Sequence, residues 1–191
     1  MANLVAKISS DQWLAAARDL LIESGISGVK VDVMATRLGV SRGGFYHHFG
    51  NRAAMFDGLL EKWQQENQFF DAPVPGMSAQ DAWNAFHTGF EVLIRQDRFD
   101  PEFELAVRDW AKISTQVRDA VYQVDDQRTQ VFFDLFKALG RPDREARLRS
   151  QMLYLHQLGV YAAQVHQRRS FDERMQDFAP YMRFLIGDPP R

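Results

Sequence analysis

The sequence predicts an all-α protein in two parts. Three observations carry that reading. Apolar residues recur at helical spacing along the whole chain, strand-like alternation is nearly absent, and capping residues with glycine or proline stops divide it into about nine helices. Composition agrees: 191 residues, 46% hydrophobic and 25% charged, suit a folded chain with a real core.

The elements follow in order. Ser9 to Gln12 forms a capping-box pattern ahead of Trp13, Ala17, Leu20 and Leu21, which share one helical face. Gly25 stops that helix, and Ser27-Gly28 turns the chain. A short helix around Asp32 to Leu38 turns Met34, Ala35 and Leu38 inward, and Gly39 ends it. Ser41 is placed to cap a third short helix reaching Tyr46 or His47, and Asn51 to cap a fourth carrying Met55, Phe56, Leu59, Leu60 and Trp63.

The segment from Asp71 through Pro73 and Pro75 to Gly76 is the clearest break, because two prolines and a glycine cannot continue a helix. Beyond it, Ser78 to Asp81 caps a helix with Trp83, Phe86, His87, Phe90 and Ile94 on one stripe. Asp100-Pro101 starts another. Ser114 opens a long helix to Leu139, closed by Gly140, and Pro142 opens one to about Arg169. Ser170 to Glu173 caps the last, which runs to Gly187. A head over 1–55 and a body over 56–191 are expected, with the fourth helix able to serve both.

Composition also excludes function classes. No apolar run reaches the ~18 residues of a membrane helix, and the first ten residues lack the pattern of a secretory signal. No membrane association is expected. Cysteine is absent, which removes disulfides, thiol catalysis and thiol redox sensing, and fits a reducing cytoplasm. The chain shows no Gly-rich phosphate loop, no HExxH pair and no nucleophile elbow, so it does not read as an enzyme. Net charge is −2, yet residues 1–55 carry six basic groups against four acidic ones, a net of +2, leaving −4 for the rest. A basic head on an acidic body suits a protein that meets a polyanion at one end.

The most informative stretch runs from Gly28 to Arg52. It reads as a short helix, a glycine turn and a second short helix with small residues outward, followed by an aromatic and histidine cluster. Gly39 supplies the positive φ of a tight helix–helix turn. Gly43 and Gly44 sit early in the second helix, where each costs roughly 1 kcal/mol relative to alanine. Keeping both suggests that something approaches the backbone closely there, and the groove and phosphates of DNA are a good candidate.

Gly39-Val40-Ser41, then Phe45-Tyr46-His47-His48-Phe49, then Asn51-Arg52 closely resembles the TetR-family helix-turn-helix over roughly residues 9–60. Pro101-Glu102, Leu105 to Arg108 and Trp110-Ala111 resemble one subset of that family more weakly. The resemblance implies a three-helix DNA-binding domain on a helical ligand-binding and dimerisation bundle. It implies a sequence-specific transcription regulator, nucleoid-associated when bound, that releases an operator when an apolar or aromatic small molecule binds. It also implies the DNA-contacting residues. Arg42 begins the recognition helix, where a guanidinium pairs bidentately with guanine. Ser41, Gly43 and Gly44 lie beside it. Tyr46, His47 and His48 occupy phosphate-contacting positions, Arg52 replaces the family's usual lysine, and Lys30 stands on the other side of the groove. Asp32 departs from the pattern: it reads either as a helix N-cap or as an acceptor for a cytosine amine. Phe45 and Phe49 read as core. His47 and His48 point in different directions, and no third ligand joins them, so no metal or other cofactor is expected.

In the body, Phe171, Met175, Phe178, Met182 and Leu185 fall at spacings of a helix-packing seam, as do Met152, Leu155, Gly159, Ala162 and His166. In the family such helices build a four-helix bundle across a two-fold axis, so a homodimer is expected; the same stripes also suit the chain's own core. Trp83, Phe86, His87 and Phe90 form an aromatic stripe, and the resemblance places Phe103, Trp110, Tyr122 and His156 on helices around the effector cavity. Each also reads as simple core. His87, Arg108 and His156 are the candidate polar anchors. A rival reading is a helical adaptor that keeps the fold without sequence-specific DNA binding; steep salt dependence with DNA separates the two.

Overall fold

The computed structural model describes residues 8–68, 70, 74–96 and 99–190, apart from the side chain of His166. Asp71 to Pro73 of the expected break therefore lie outside the described residues. Every regular element described is helical: α1 (Ser10–Gly28), α2 (Val31–Leu38), α3 (Arg42–Phe49), α4 (Arg52–Glu66), α5 (Ala79–Arg95), α6 (Pro101–Ala111), α7 (Thr115–Ala138), α8 (Asp143–Ala162), α9 (Val165–Arg168), α10 (Phe171–Gln176) and α11 (Phe178–Ile186). The all-α expectation holds. No helix among the described residues is long and apolar enough to cross a membrane.

The described residues fall into two compact units. A head unit comprises the chain up to Gln65 together with Glu102–Arg118, and a body unit comprises Glu66–Pro101 together with Asp119 onward. In the head unit, Ser9 accepts from the Gln12 amide while the Gln12 side chain accepts from the Ser9 amide, so both ends of the box satisfy orphan donors of α1. Gly25 takes φ 65 and kinks the chain near the end of α1. Trp13, Ala17, Leu20, Leu21, Met34 and Phe45 are buried together, with the Trp13 and Phe45 rings edge to face at 5.5 Å. The Ala54 amide donates to Asn51 at 2.9 Å, which starts α4 as the sequence expects. The buried Glu104 of α6 accepts from Trp63 of α4 at 2.8 Å and from Arg108 at 2.7 Å. Trp110 of the same helix packs on Phe56, and Arg18 lies over the Phe103 ring.

The body unit is organised by an aromatic cluster. Phe86 and Phe90 of α5 meet Phe132 and Phe136 of α7, with Phe86 and Phe136 centroids 4.9 Å apart. Arg128 of α7 is buried; it donates to the Asn67 carbonyl and side chain and lies over the rings of Phe99 and Tyr154. Asp125 accepts from the Tyr154 hydroxyl.

Two helices expected to be continuous are each broken. The helix expected to run to about Arg169 ends at Ala162, where Gln164 takes φ 51, and α9 resumes for one turn. The last helix breaks at Asp177. Pro180 explains the second break: in a continuous helix its ring would clash with the Gln176 carbonyl four residues back.

Candidate nucleic-acid interface

The turn between α2 and α3 is set by Gly39, whose φ of 67 is left-handed, and by the Val40 amide donating to the Ala35 carbonyl at 3.0 Å. Ala35 is buried at this crossing. Phe45 fills the core beneath α3, and half-buried Phe49 leans on it at 5.3 Å. That packing rotates the other face of α3 outward. Arg42, Gly43, Tyr46 and His47 are exposed along it, and Tyr46 keeps 53% of its surface accessible. Ser41 occupies the N-cap position with extended backbone, but its hydroxyl caps no amide.

The glycines are informative. A Cβ on Gly43 would meet only the Ser41 hydroxyl, at 3.6 Å, and one on Gly44 only the edge of Trp13, at 3.7 Å. Both are ordinary contacts. Nothing inside the described chain therefore demands glycine at either place.

The cations divide. Lys30 is exposed at the N-cap position of α2. Arg52 donates to the Val29 carbonyl at 3.0 Å and lies over Phe56, so its head is anchored. His48 is held through Nε2 on the Ile8 carbonyl at 2.7 Å, which requires the proton on Nε2. Arg37 forks onto Glu23 through two bonds of 3.0 and 2.6 Å, and that bond pulls the Glu23 carboxyl below its usual pKa. The Asp32 N-cap reading is overturned. The cap position belongs to Lys30, and Asp32 sits inside the first turn, where its carboxylate pairs with Arg42 across the helix–helix turn. Sequence reasoning treated Asp32 and Arg42 separately; their juxtaposition needs the turn geometry.

The expected effector residues are divided between the two units. Phe103, Arg108 and Trp110 belong to the head unit, where Arg108 is engaged by Glu104. Tyr122 is exposed. Phe86 is wholly within the aromatic core, and Trp83 stacks near His87, whose ring meets Phe178 at 4.7 Å. Phe90 and His156 both line a cavity of about 80 Å³ with α5, α8, α10 and α11 around it. Of the expected dimer residues, Phe178 and Met182 are buried in the body's own core, whereas Phe171 is exposed and Met175 and Leu185 are half-buried. Met152 and Leu155 expose 69% and 66% of their surface, Gly159 and Ala162 are exposed on the same helix, and Phe184 exposes 89%. Of His166, only the backbone, in α9, is described. An open groove of about 670 Å³ runs past Leu148, Met152, Phe184 and Leu185.

Residues 14–59 match the family described as bacterial regulatory proteins, tetR family. The tetracycline repressor protein class A from transposon 1721 of Escherichia coli is 33% identical over 129 residues, covering 68% of this chain and 55% of the repressor. The class C repressor from Escherichia coli is 29% identical over 127 residues, covering 66% of this chain and 53% of that protein. The chain thus spans about half the length of the curated relatives it matches. Among solved structures, a TerR/AcrR-family transcriptional regulator from Aquifex aeolicus VF5 superposes with a TM-score of 0.68 at 15% identity, over 92% of this chain and 98% of that one. The fatty acid degradation regulator FadR from Bacillus halodurans gives 0.66 at 20% identity, over 97% of each chain. At such identities these two structures establish the fold alone.

Proposed function

The chain belongs to the tetR family of bacterial regulatory proteins, and from that premise we propose that it is a sequence-specific DNA-binding transcription regulator, a repressor that holds a pseudo-palindromic operator as a homodimer. The observation that carries the reading is the outward face of α3. Arg42, Gly43, Tyr46 and His47 are presented together on a short helix whose other side is locked by Phe45. Arg42 reads a guanine through O6 and N7, which supplies about 1–3 kcal/mol of discrimination. Ser41, Gly43 and Gly44 let the backbone close on the groove, and Lys30, Tyr46, His47, His48 and Arg52 take phosphates. Those contacts fix register and carry no sequence information.

One α3 spans only a few base pairs, so two copies are needed to specify a site, about one helical turn or a multiple of it apart. The exposed apolar face of α8 and α11, with Met152, Leu155, Gly159, Ala162 and Phe184, supports pairing of two bodies. A small-molecule effector in the body weakens operator binding. A coupling of about 1–3 kcal/mol changes affinity 5- to 150-fold, enough to switch occupancy.

Selection of bound sequences from random duplex DNA, with wild type and Arg42→Ala side by side, tests this. The expected result is a two-fold-related motif from wild type, with one base pair of each half-site relaxed in the variant. Failure of wild type to enrich any motif at low salt would sink the reading in favour of a fold that has lost DNA recognition.

A further inference from the structure

The cavity shared by α5, α8, α10 and α11 is lined mainly by apolar groups, Phe90, Leu93, Val160 and Phe178 among them. Gln96 and the hydrogen-bonded pair His156 and Tyr181 also line it, and two further polar groups carry a buried atom without a partner. Arg174 reaches in from α10 and donates from one terminal nitrogen to the Ile94 carbonyl at 2.9 Å, while its Nε is buried and bonds nothing. No carboxylate among the described residues pairs with it: Glu91 is held by Arg95, Asp177 by Arg169, and Glu173 by the Ser170 amide. Burial and the neighbouring Arg169 both pull the Arg174 pKa below its usual range. A partly desolvated cation beside an apolar void is stabilised by a counter-ion brought to it.

The second group is Gln157, 3% exposed, whose Oε1 has no partner while its Nε2 contacts the Tyr161 hydroxyl. Turning this amide over keeps the Tyr161 contact, with the hydroxyl now donating, and aims an N–H into the cavity instead. Arg174 and Gln157 thus bring two side chains, each with an unsatisfied buried atom, to the lining of one cavity. A void of about 80 Å³, at roughly 10–15 Å³ of such space for each water, holds several waters, which fits a carboxyl group and a short tail.

We propose that this cavity is the effector site and that its ligand is a short-chain monocarboxylate, with the carboxylate on Arg174 and Gln157 and the alkyl tail among Phe90, Leu93 and Val160. The proposal rests on the effector reading above and gives it a ligand class. Neutral isosteres leave the guanidinium without its counter-ion and bind more weakly.

Calorimetric titration of the full chain with acetate, propionate and butyrate, each against the amide of the same shape and at constant ionic strength, tests it. Propionate or butyrate is expected to bind at least about tenfold more tightly than its amide, because the amide replaces a charge-assisted hydrogen bond with a neutral one. Arg174→Gln brings acid and amide level. Val160→Phe fills the cavity and removes binding of both while leaving Arg174 in place, which keeps the test decisive should the arginine variant misfold. Equal affinity for acid and amide, no binding of any of the three acids, or butyrate binding unchanged in Val160→Phe overturns the proposal. Anisotropy of a labelled operator separates the two readings. Butyrate that binds at this site without releasing DNA overturns its role as effector and keeps the site. Release by some other compound, with no acid bound, overturns the site and keeps the effector reading.

Discussion

Arg42 and Asp32 illustrate how one acidic side chain shapes a reading head. Both side chains are more than half exposed, so their ion pair contributes at most about 1 kcal/mol to folding. Its larger effect falls on DNA. If Arg42 takes the base-reading position proposed above, the carboxylate beside it repels phosphates and holds the guanidinium until a guanine edge replaces it. Asp32→Asn, which keeps the shape and removes the charge, is therefore expected to tighten binding to random duplex several-fold and to steepen its salt dependence. Stability should stay within about 0.5 kcal/mol. Anisotropy with a non-operator duplex at two salt concentrations checks this; unchanged non-specific affinity would show that Asp32 is electrostatically idle. Gly43 lies on the same surface, and its open surroundings leave no demand for glycine among the described residues.

Among elements, α4 and α6 are joined by a buried polar contact. Glu104 accepts from Trp63 and Arg108 with no exposed side-chain surface. Glu104→Ala leaves buried donors without their acceptor, and a drop of about 3 kcal/mol in urea unfolding is expected; a drop below about 1 kcal/mol would place the stability elsewhere. This contact was not legible in the sequence, because helical periodicity does not say which distant helix a face meets. The helices of the head were legible, since Ser9, Gly25, Gly39 and Asn51 each act locally through a cap or a positive φ. The break at Asp177 carried a signal, Pro180, that the heptad-like spacing of Phe171, Met175, Phe178 and Met182 masked. The break at Gln164 has no glycine or proline to announce it. The outward residues of α3 could be read from the sequence because Phe45 fixes its rotation. The effector cavity could not, since Gln157 and Arg174 look like ordinary polar positions on amphipathic helices.

For the molecule as a whole, the proposed homodimer makes assembly decide function, because half of a palindrome is a weak address. Met152 and Leu155 lie one turn apart on α8 and are exposed, so Met152→Glu with Leu155→Glu is expected to leave the fold intact and shift the protein to monomer in sedimentation. Operator affinity should fall by more than about tenfold with non-specific binding largely kept. A stable dimer of the double variant would place the interface on another face. The distribution of tryptophan carries a practical consequence. Trp13, Trp63 and Trp110 are buried in the head unit, and Trp83 alone belongs to the body. The chain is thus labelled unevenly by its own fluorophores: three of its four tryptophans lie in the head unit, and the light that disappears on Trp83→Phe is the body's private signal. Head and body can therefore be followed separately by comparing the emission of the wild type with that of Trp83→Phe.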